Sequence, residues 1–386
     1  MLPPVEGAAL GTQRHAFDVP REVAYFNTAS LSPQLHRVRL AGERALERCG
    51  RPWTIASPDW FADVERLRAL FGRVIGADAE GVALIPATSY GFSVAWRNLH
   101  LGADDRILVL DAEYPSGIYS WRTAARKSGA EIVTVSREAG QPWTDAILAA
   151  LDERIRIVSV PHVHCTDGAL IELEAVADRA HALGCRLVVD ACQSVGVMPV
   201  DVERLRPDFL VTVGYKWLLG PFALGYLYVA EEHRDGEPIE ENWIVRVGAE
   251  DFTGLMDYTD EYQPGARRFD MGQRTSFHLT PMAIAALEQL LEWEVPRIAA
   301  TLEGTTATLA ERAAELGLTP PPPDQRGPHI LGLDLPPGAR DRLPAALAAA
   351  GCFVAVRGGR SLRIAPHLHT TSDDVDRLIS ALAETL

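Results

Sequence analysis

The sequence predicts an α/β protein: a large domain with a mostly parallel seven-stranded sheet, followed by a smaller C-terminal α/β domain. Three observations carry that prediction. From residue 82 to about 230, short apolar runs alternate with amphipathic stretches of helical length, the pattern of a parallel sheet covered on both faces. Polar residues crowd the positions just after those runs, where open α/β sheets bind their ligands. A proline-rich connector, "TPPPPDQRGP", then precedes a second and shorter set of runs.

The strand candidates are "VALIP" (82–86), "RILVL" (106–110), "EIVTV" (131–135), "RIVSV" (156–160), "RLVVD" (186–190), "FLVTV" (209–213) and "GYLYV" (225–229). Helix-length segments such as "SGIYSWRTAARKSG" and "ELEAVADRAHALG" lie between most of them. The second of these closes at Gly184, a fitting helix stop. The last run follows Lys216 by a short turn, so it is free to pair differently from the others. Residues 231–263 are irregular and acidic and read as a solvated surface loop. Beyond the connector come "HILGLDL", a helix over 340–349, "CFVAVR", "SLRIA" and a last helix from Ser372.

Composition narrows the class. In 386 residues, 47% are hydrophobic and 23% charged, which supports packed cores in two or three domains. A net charge of −15 argues against a nucleic-acid partner, which calls for a basic face. The 5 cysteines are odd in number and show no CxxC spacing, against a disulfide framework or a structural zinc site. The opening "MLPPVEGAALGTQRHAF" lacks the basic end and long apolar run of a secretory signal. No apolar stretch is long enough to span a bilayer. A cytoplasmic protein with no membrane partner is the expectation.

The chemistry sits after the strands. In "TVGYKWLLGP", Lys216 stands between a strand and a Gly/Pro-bounded turn. A lysine there either reaches out to water or stays desolvated, and burial favours the neutral, nucleophilic form of an amine. Asp190 ends an apolar strand. Such a carboxylate caps a helix, pairs with an arginine, or keeps a pyridine ring protonated so that the ring acts as an electron sink. The two residues end successive strands and should converge on one crevice, giving the carboxylate-plus-lysine pair that pyridoxal phosphate requires. In "PATSYGFS", Thr88 and Ser89 mark a helix start, either an anion site or an ordinary cap. In "HVHCTDG", His162 and His164 share a face of an extended chain, and Cys165 beside them completes a set resembling metal ligands. That set favours a different class, a metal-dependent hydrolase. Two satisfied structural histidines are the competing reading, and no HExxH or CxxC accompanies them.

The block "VVDACQSVGVMPVDVERLRPDFLVTVGYKWLLGPFALGYLYV" resembles the class V aminotransferase family of fold-type I pyridoxal-phosphate enzymes. That group includes cysteine desulfurases, selenocysteine lyases, kynureninases and isopenicillin N epimerase-like proteins. The resemblance extends from "YFNTASLSP" to "LRIAPHLHTTSDDVDRL". It implies pyridoxal 5'-phosphate as cofactor, Lys216 as its Schiff-base lysine, Asp190 against the pyridinium nitrogen and Gln193 on the ring-hydroxyl side. It assigns the cofactor phosphate to Thr88 and Ser89, with Thr212 and Tyr215 as further partners. "RRFDMGQRTSF" resembles the stretch that reaches the neighbouring subunit's phosphate in a homodimer. Gln273 stands there in place of the desulfurase threonine, with Arg274, Thr275 or Ser276 as its substitutes. Tyr114 takes the place of the ring-stacking histidine; a tyrosine can stack on the ring but is a poor acid–base group near neutral pH. Cys165 falls near the cofactor's ring oxygen, and His164 or Cys165 lines the pocket. The substrate's α-carboxylate falls to Arg363, and the closing N-terminal loop carries Asn27 and Thr28 nearest the substrate.

One departure bears on the subtype. Desulfurases carry a persulfide-forming cysteine on a loop before the carboxylate-binding arginine. Here the link between "CFVAVR" and "SLRIAP" is only "GGR", and Cys352 lies too far back. The expectation is a homodimeric enzyme acting at Cα or Cβ of an amino acid, by lyase or epimerase-type chemistry ahead of transamination. Intact Asp190, Lys216 and Arg363 argue against a non-catalytic relative. The expected division is an N-terminal segment 1–20, a large cofactor-binding domain 21–265 and a small C-terminal domain 266–386.

Overall fold

The seven apolar runs form one sheet. The computed structural model describes residues 9–359 and 361–386, so the first eight residues of the expected N-terminal segment lie outside the described residues. A short strand β1 (Ala24–Tyr25) and helices α1 (His36–Cys49) and α2 (Ala62–Ile75) come first. Next are β2 (Val82–Ile85), α3 (Thr88–Asn98), β3 (Arg106–Leu110), α4 (Pro115–Ser128), β4 (Glu131–Val135), α5 (Trp143–Ala150) and β5 (Ile155–Pro161). They are followed by α6 (Leu173–Ala182), β6 (Arg186–Asp190), α7 (Val202–Leu205), β7 (Phe209–Val213) and β8 (Gly225–Val229). The strand order is β2-β8-β7-β6-β5-β3-β4. β3 to β7 run parallel, while β8 pairs antiparallel with both β2 and β7. Central strands such as β7 are buried at every position, which explains why they read as unbroken apolar runs. The expected stop after α6 is present: Gly184 has φ +73°, a left-handed conformation that costs glycine little.

The chain then forms α8 (Leu279–Trp293), α9 (Val295–Glu315), β9 (Leu331–Asp334), α10 (Leu343–Ala349), β10 (Cys352–Phe353), β11 (Ala355–Arg357), β12 (Ser361–Ile364) and α11 (Ser372–Thr385). β11, β12 and β9 make an antiparallel sheet with β12 in the centre. It packs on a separate core that includes Leu309, Leu331, Leu343, Leu362 and Leu378. The expected single strand "CFVAVR" is split. Its first half pairs in parallel with β1, its second half with β12. The chain thus crosses position 265 in both directions, since β1 joins β10 while α8 lies on α1 and α2. Residues 231–263 are not solvated throughout: Ile244, Val245 and Ala249 are buried against Trp60 and Tyr262.

A buried ion triad closes the sheet edge next to α3. Arg68, Asp270 and Arg274 are each fully buried. Asp270 accepts from both arginines at 2.8 and 2.6 Å, and its other oxygen accepts the Leu84 N–H at 2.7 Å. Arg68 also donates to the Val82 carbonyl. The Met271 N–H donates to the Leu84 carbonyl at 2.9 Å, so backbone groups on the free edge of β2 are met by side chains and one loop amide in place of a further strand.

Candidate active site

The carboxyl ends of four adjacent strands enclose one cavity. Glu113 and Tyr114 follow β3; Pro161, Val163 and Cys165 end or follow β5; Asp190, Cys192 and Gln193 end or follow β6; Lys216 follows β7. Lys216 and Asp190 are 8% and 7% exposed. The Lys216 amine makes no hydrogen bond or ion pair with the described residues; its Nζ lies over the rings of Tyr114 and Tyr215, at 5.5 and 5.9 Å. With no carboxylate to hold it, the amine is free to engage a cofactor aldehyde covalently. Asp190 is held by the Cys192 N–H, which donates to Oδ1 at 2.9 Å.

Backbone detail sets the lysine turn. Gly196, with φ +95°, lets the chain after Asp190 come close to the turn; a Cβ there would meet the Trp217 carbonyl oxygen at 2.6 Å. Among the described residues, five non-glycine positions have positive φ, and three of them, Ala112, Leu219 and Ala223, flank Glu113 or the Lys216 turn. Such strain is kept where the surrounding structure imposes it, commonly at functional sites. The N-terminal loop docks here as well, through the Ser32 N–H to the Tyr215 carbonyl at 3.0 Å.

Of the other expected residues, Tyr114 and Gln193 line the cavity, and Thr88 and Tyr215 adjoin its wall at Cys192 and Lys216. Thr88 is buried at the first position of α3, with Oγ1 3.8 Å from the Cys192 Sγ. No side chain caps that helix end, which leaves its N–H groups open to an anion. Ser89 is exposed on the same turn. Thr212 is buried with its hydroxyl directed to the Ala191 carbonyl at 3.4 Å. Burial pushes the half-buried phenol of Tyr215 up to about 12. Tyr114, 39% exposed, stands at the mouth, where a stacking ring belongs. Gln193 lines the cavity, but its amide is already engaged: Oε1 accepts from Trp217 Nε1 at 2.8 Å and Nε2 donates to the Ala29 carbonyl at 3.1 Å.

Others are placed elsewhere. His162 and His164 do share a face, as alternation requires, but it is the face turned from the cavity, which Val163 and Cys165 line. His164 contacts Asp167 through Nδ1 at 3.0 Å and the Asp111 carbonyl through Nε2 at 3.1 Å. Burial raises the Asp167 carboxyl, yet its bonds to His164 and the Ala169 N–H hold it down at about 2. The two histidines and Cys165 therefore do not converge as a metal site, and His164 does not line the cavity. Arg274 belongs to the Asp270 triad and has no exposed surface to offer a partner, and Thr275 donates to the Trp60 carbonyl at 2.7 Å. Of that stretch, Gln273 is exposed.

On the far side lie Arg363 and the N-terminal loop. Arg363 is 2% exposed and donates to the carbonyl of Cys165. Burial, with Arg357 nearby, lowers its pKa to about 10. Asn27 bridges to Ala365 beside it. Asn27 Oδ1, Thr28 Oγ1 and Arg363 Nε are buried without a partner, as expected of groups that await a polar ligand.

Glu113 was not expected as a site residue. It lines the cavity with Asp190, and burial plus the Asp190 charge push its carboxyl well above the usual range. Only its position after "RILVL" could have flagged it.

Comparison with known proteins agrees with this geometry. The sequence profile described as "Aminotransferase class-V" matches residues 56–378. Isopenicillin N epimerase of Streptomyces clavuligerus is 28% identical over 337 residues, covering 82% of each chain. Kynureninase of Deinococcus radiodurans is 32% identical over 300 residues, 73% of this chain and 68% of the relative. Among solved structures, a C-DES mutant with glycine covalently linked to its PLP cofactor superposes with TM-score 0.87 at 17% identity, covering 97% of this chain and 99% of that one. The apo cysteine desulfurase of Thermococcus onnurineus gives 0.80 at 20% identity, covering 98% and 99%. The chain belongs to the class V aminotransferase family, whose members are pyridoxal-phosphate-dependent enzymes, and pyridoxal 5'-phosphate is its cofactor.

Proposed function

We propose that the protein acts at Cα or Cβ of an amino-acid substrate, by β-elimination (including C–S cleavage) or by epimerase-type chemistry, with class V transamination as the second reading. The observation that carries the proposal is the buried, unpaired Lys216 in one cavity with Asp190. Bound pyridoxal phosphate supplies an electron sink for the pair of electrons left at Cα. Lys216 would hold the cofactor, and its amine is the group placed to move a proton at the substrate Cα. Asp190 would keep the ring nitrogen protonated, Tyr114 would stack on the ring, and Thr88 with the open N–H groups of α3 would hold the phosphate, Ser89 and Thr212 nearby. Arg363 takes the substrate carboxylate, with Asn27 and Thr28 beside it.

The desulfurase-type persulfide cysteine, on the loop before the carboxylate-binding arginine, has no counterpart here. Cys352 is buried in β10, and only Gly358, Gly359 and Arg360 join β11 to β12. We also propose a cytoplasmic homodimer. The exposed apolar side chains of Leu31, Tyr114 and Phe222 near the lysine turn support a second copy there, and five unpaired cysteines suit a reducing compartment. Among the described residues, no helix is long and apolar enough to cross a membrane. Incubation with candidate amino acids in heavy water tests the reaction. Deuterium at Cα without loss of substrate marks epimerisation, and a keto acid released with ammonia marks elimination. A keto acid with the amino group retained on the enzyme would move transamination to first place.

A further inference from the structure

Two arginines converge beside the cavity on one serine hydroxyl. Arg357 and Arg363 project from the same face of the β11–β12 hairpin, because Arg363 pairs with Ala355, two residues before Arg357. Both donate through Nη2 to the Ser30 Oγ, each at 2.8 Å. The two nitrogens are thus no further apart than twice that distance. Among the described residues, neither guanidinium has a carboxylate within ion-pair reach, and Arg363 Nε is buried without a partner. Two cations around one hydroxyl oxygen repel each other unless an anion arrives. The Ser30 oxygen stands where an anionic oxygen fits, and Arg363 leads from there to Cys165 in the cavity wall.

We propose that the substrate is an acidic amino acid: Arg363 takes its α-carboxylate and Arg357 the second carboxylate. This rests on the reading of Arg363 given above and adds a substrate class to it. A single α-carboxylate needs one guanidinium fork. Arg363 supplies that fork from a buried position. Arg357, on the exposed end of the hairpin, is left for a group that extends outward from Cα.

The test uses the full-length protein loaded with pyridoxal phosphate. It is titrated with L-glutamate against L-glutamine and with L-aspartate against L-asparagine, following the cofactor absorbance. Calorimetry with glutarate against butyrate gives a second readout that needs no cofactor chemistry. The acidic member of each pair should bind at least about tenfold tighter, as a charge-assisted pair allows. Arg357→Gln should erase that preference and leave the neutral ligands within about twofold, whereas Arg363→Gln should weaken all of them. Equal affinities in the wild type, or a preference that survives Arg357→Gln, would overturn the proposal. So would an equal loss for acidic and neutral ligands in Arg357→Gln, since both arginines would then share one carboxylate. If no cofactor band forms at all, the cofactor assignment fails on its own, and the glutarate titration still judges the arginine pair.

Discussion

Acidification should unfold this protein between about pH 6.5 and 4, for a reason visible in its interior. His162, His329 and His369 are buried and neutral. Burial lowers His162 and His369 to about 4 and His329 to about 3. His367, fully enclosed with both ring nitrogens unpartnered, is lowered well below its ordinary value. In the unfolded chain each titrates near 6.5. These folded pKa values are depressed, so the stability is fully present above pH 6.5. As pH falls below that, the unfolded chain takes up protons that the fold refuses. At pH 5 the loss is about 2 kcal/mol per histidine, or about 6 kcal/mol for the first three. A typical domain has about 5–15 kcal/mol in all. Glu113 works in the opposite sense, since its raised pKa costs stability as pH rises, and it offsets part of the loss. The low pKa of Asp167 acts only below about pH 4, so the window belongs to the histidines. Urea unfolding of the cofactor-free protein at pH 7.5, 6.5, 5.5 and 5.0, read by tryptophan fluorescence, gives the curve. His367→Leu keeps the packing against Phe17 and Trp217 and should move the acid midpoint down. An unfolding midpoint that is the same at pH 7.5 and 5.0 would refute the reasoning.

The other predictions concern the cavity and its support. Asp190→Asn should fold normally and still bind cofactor while losing activity by a factor on the order of 100 or more, because a preorganised charge is lost; turnover and thermal melting measured together separate the two effects. Glu113→Gln removes this buried titratable group and should raise stability at pH 8, where folding must protonate or desolvate a carboxyl that is ionised in the unfolded chain; an unchanged urea midpoint at that pH counts against a raised Glu113 pKa. Asp270→Ala leaves two buried arginines unpaired and should cost about 3–5 kcal/mol, read as a lower urea midpoint; a loss under about 1 kcal/mol would mean the triad is not closed in solution.

Much of the fold was legible because buried parallel strands need continuous apolar runs and helices need their stops. "RLVVD" and "FLVTV" became β6 and β7 with the expected bounds. Asp190 and Lys216 were legible for the same reason: a polar residue that ends an apolar strand has one edge of the sheet to go to. The misses follow from what periodicity leaves open. Alternation puts His162 and His164 on one face, but which face meets the cavity depends on how β5 sits among its neighbours. The split of "CFVAVR" depends on β1, more than 300 residues earlier in the chain. Arg274 is held by Asp270, four residues before it, a pairing that local sequence does not announce. Glu113 carries no signal of its own; its chemistry comes from Asp190, which only the folded sheet brings near.

The central claim is that Lys216 holds pyridoxal phosphate in this cavity. The absorption spectrum of the purified protein after incubation with the cofactor tests it most directly. The account predicts a yellow band that borohydride bleaches, with the label recovered on the peptide containing Lys216, and no such band in Lys216→Ala. A colourless protein that cannot be reconstituted, or a borohydride-fixed cofactor on any other lysine, would contradict it.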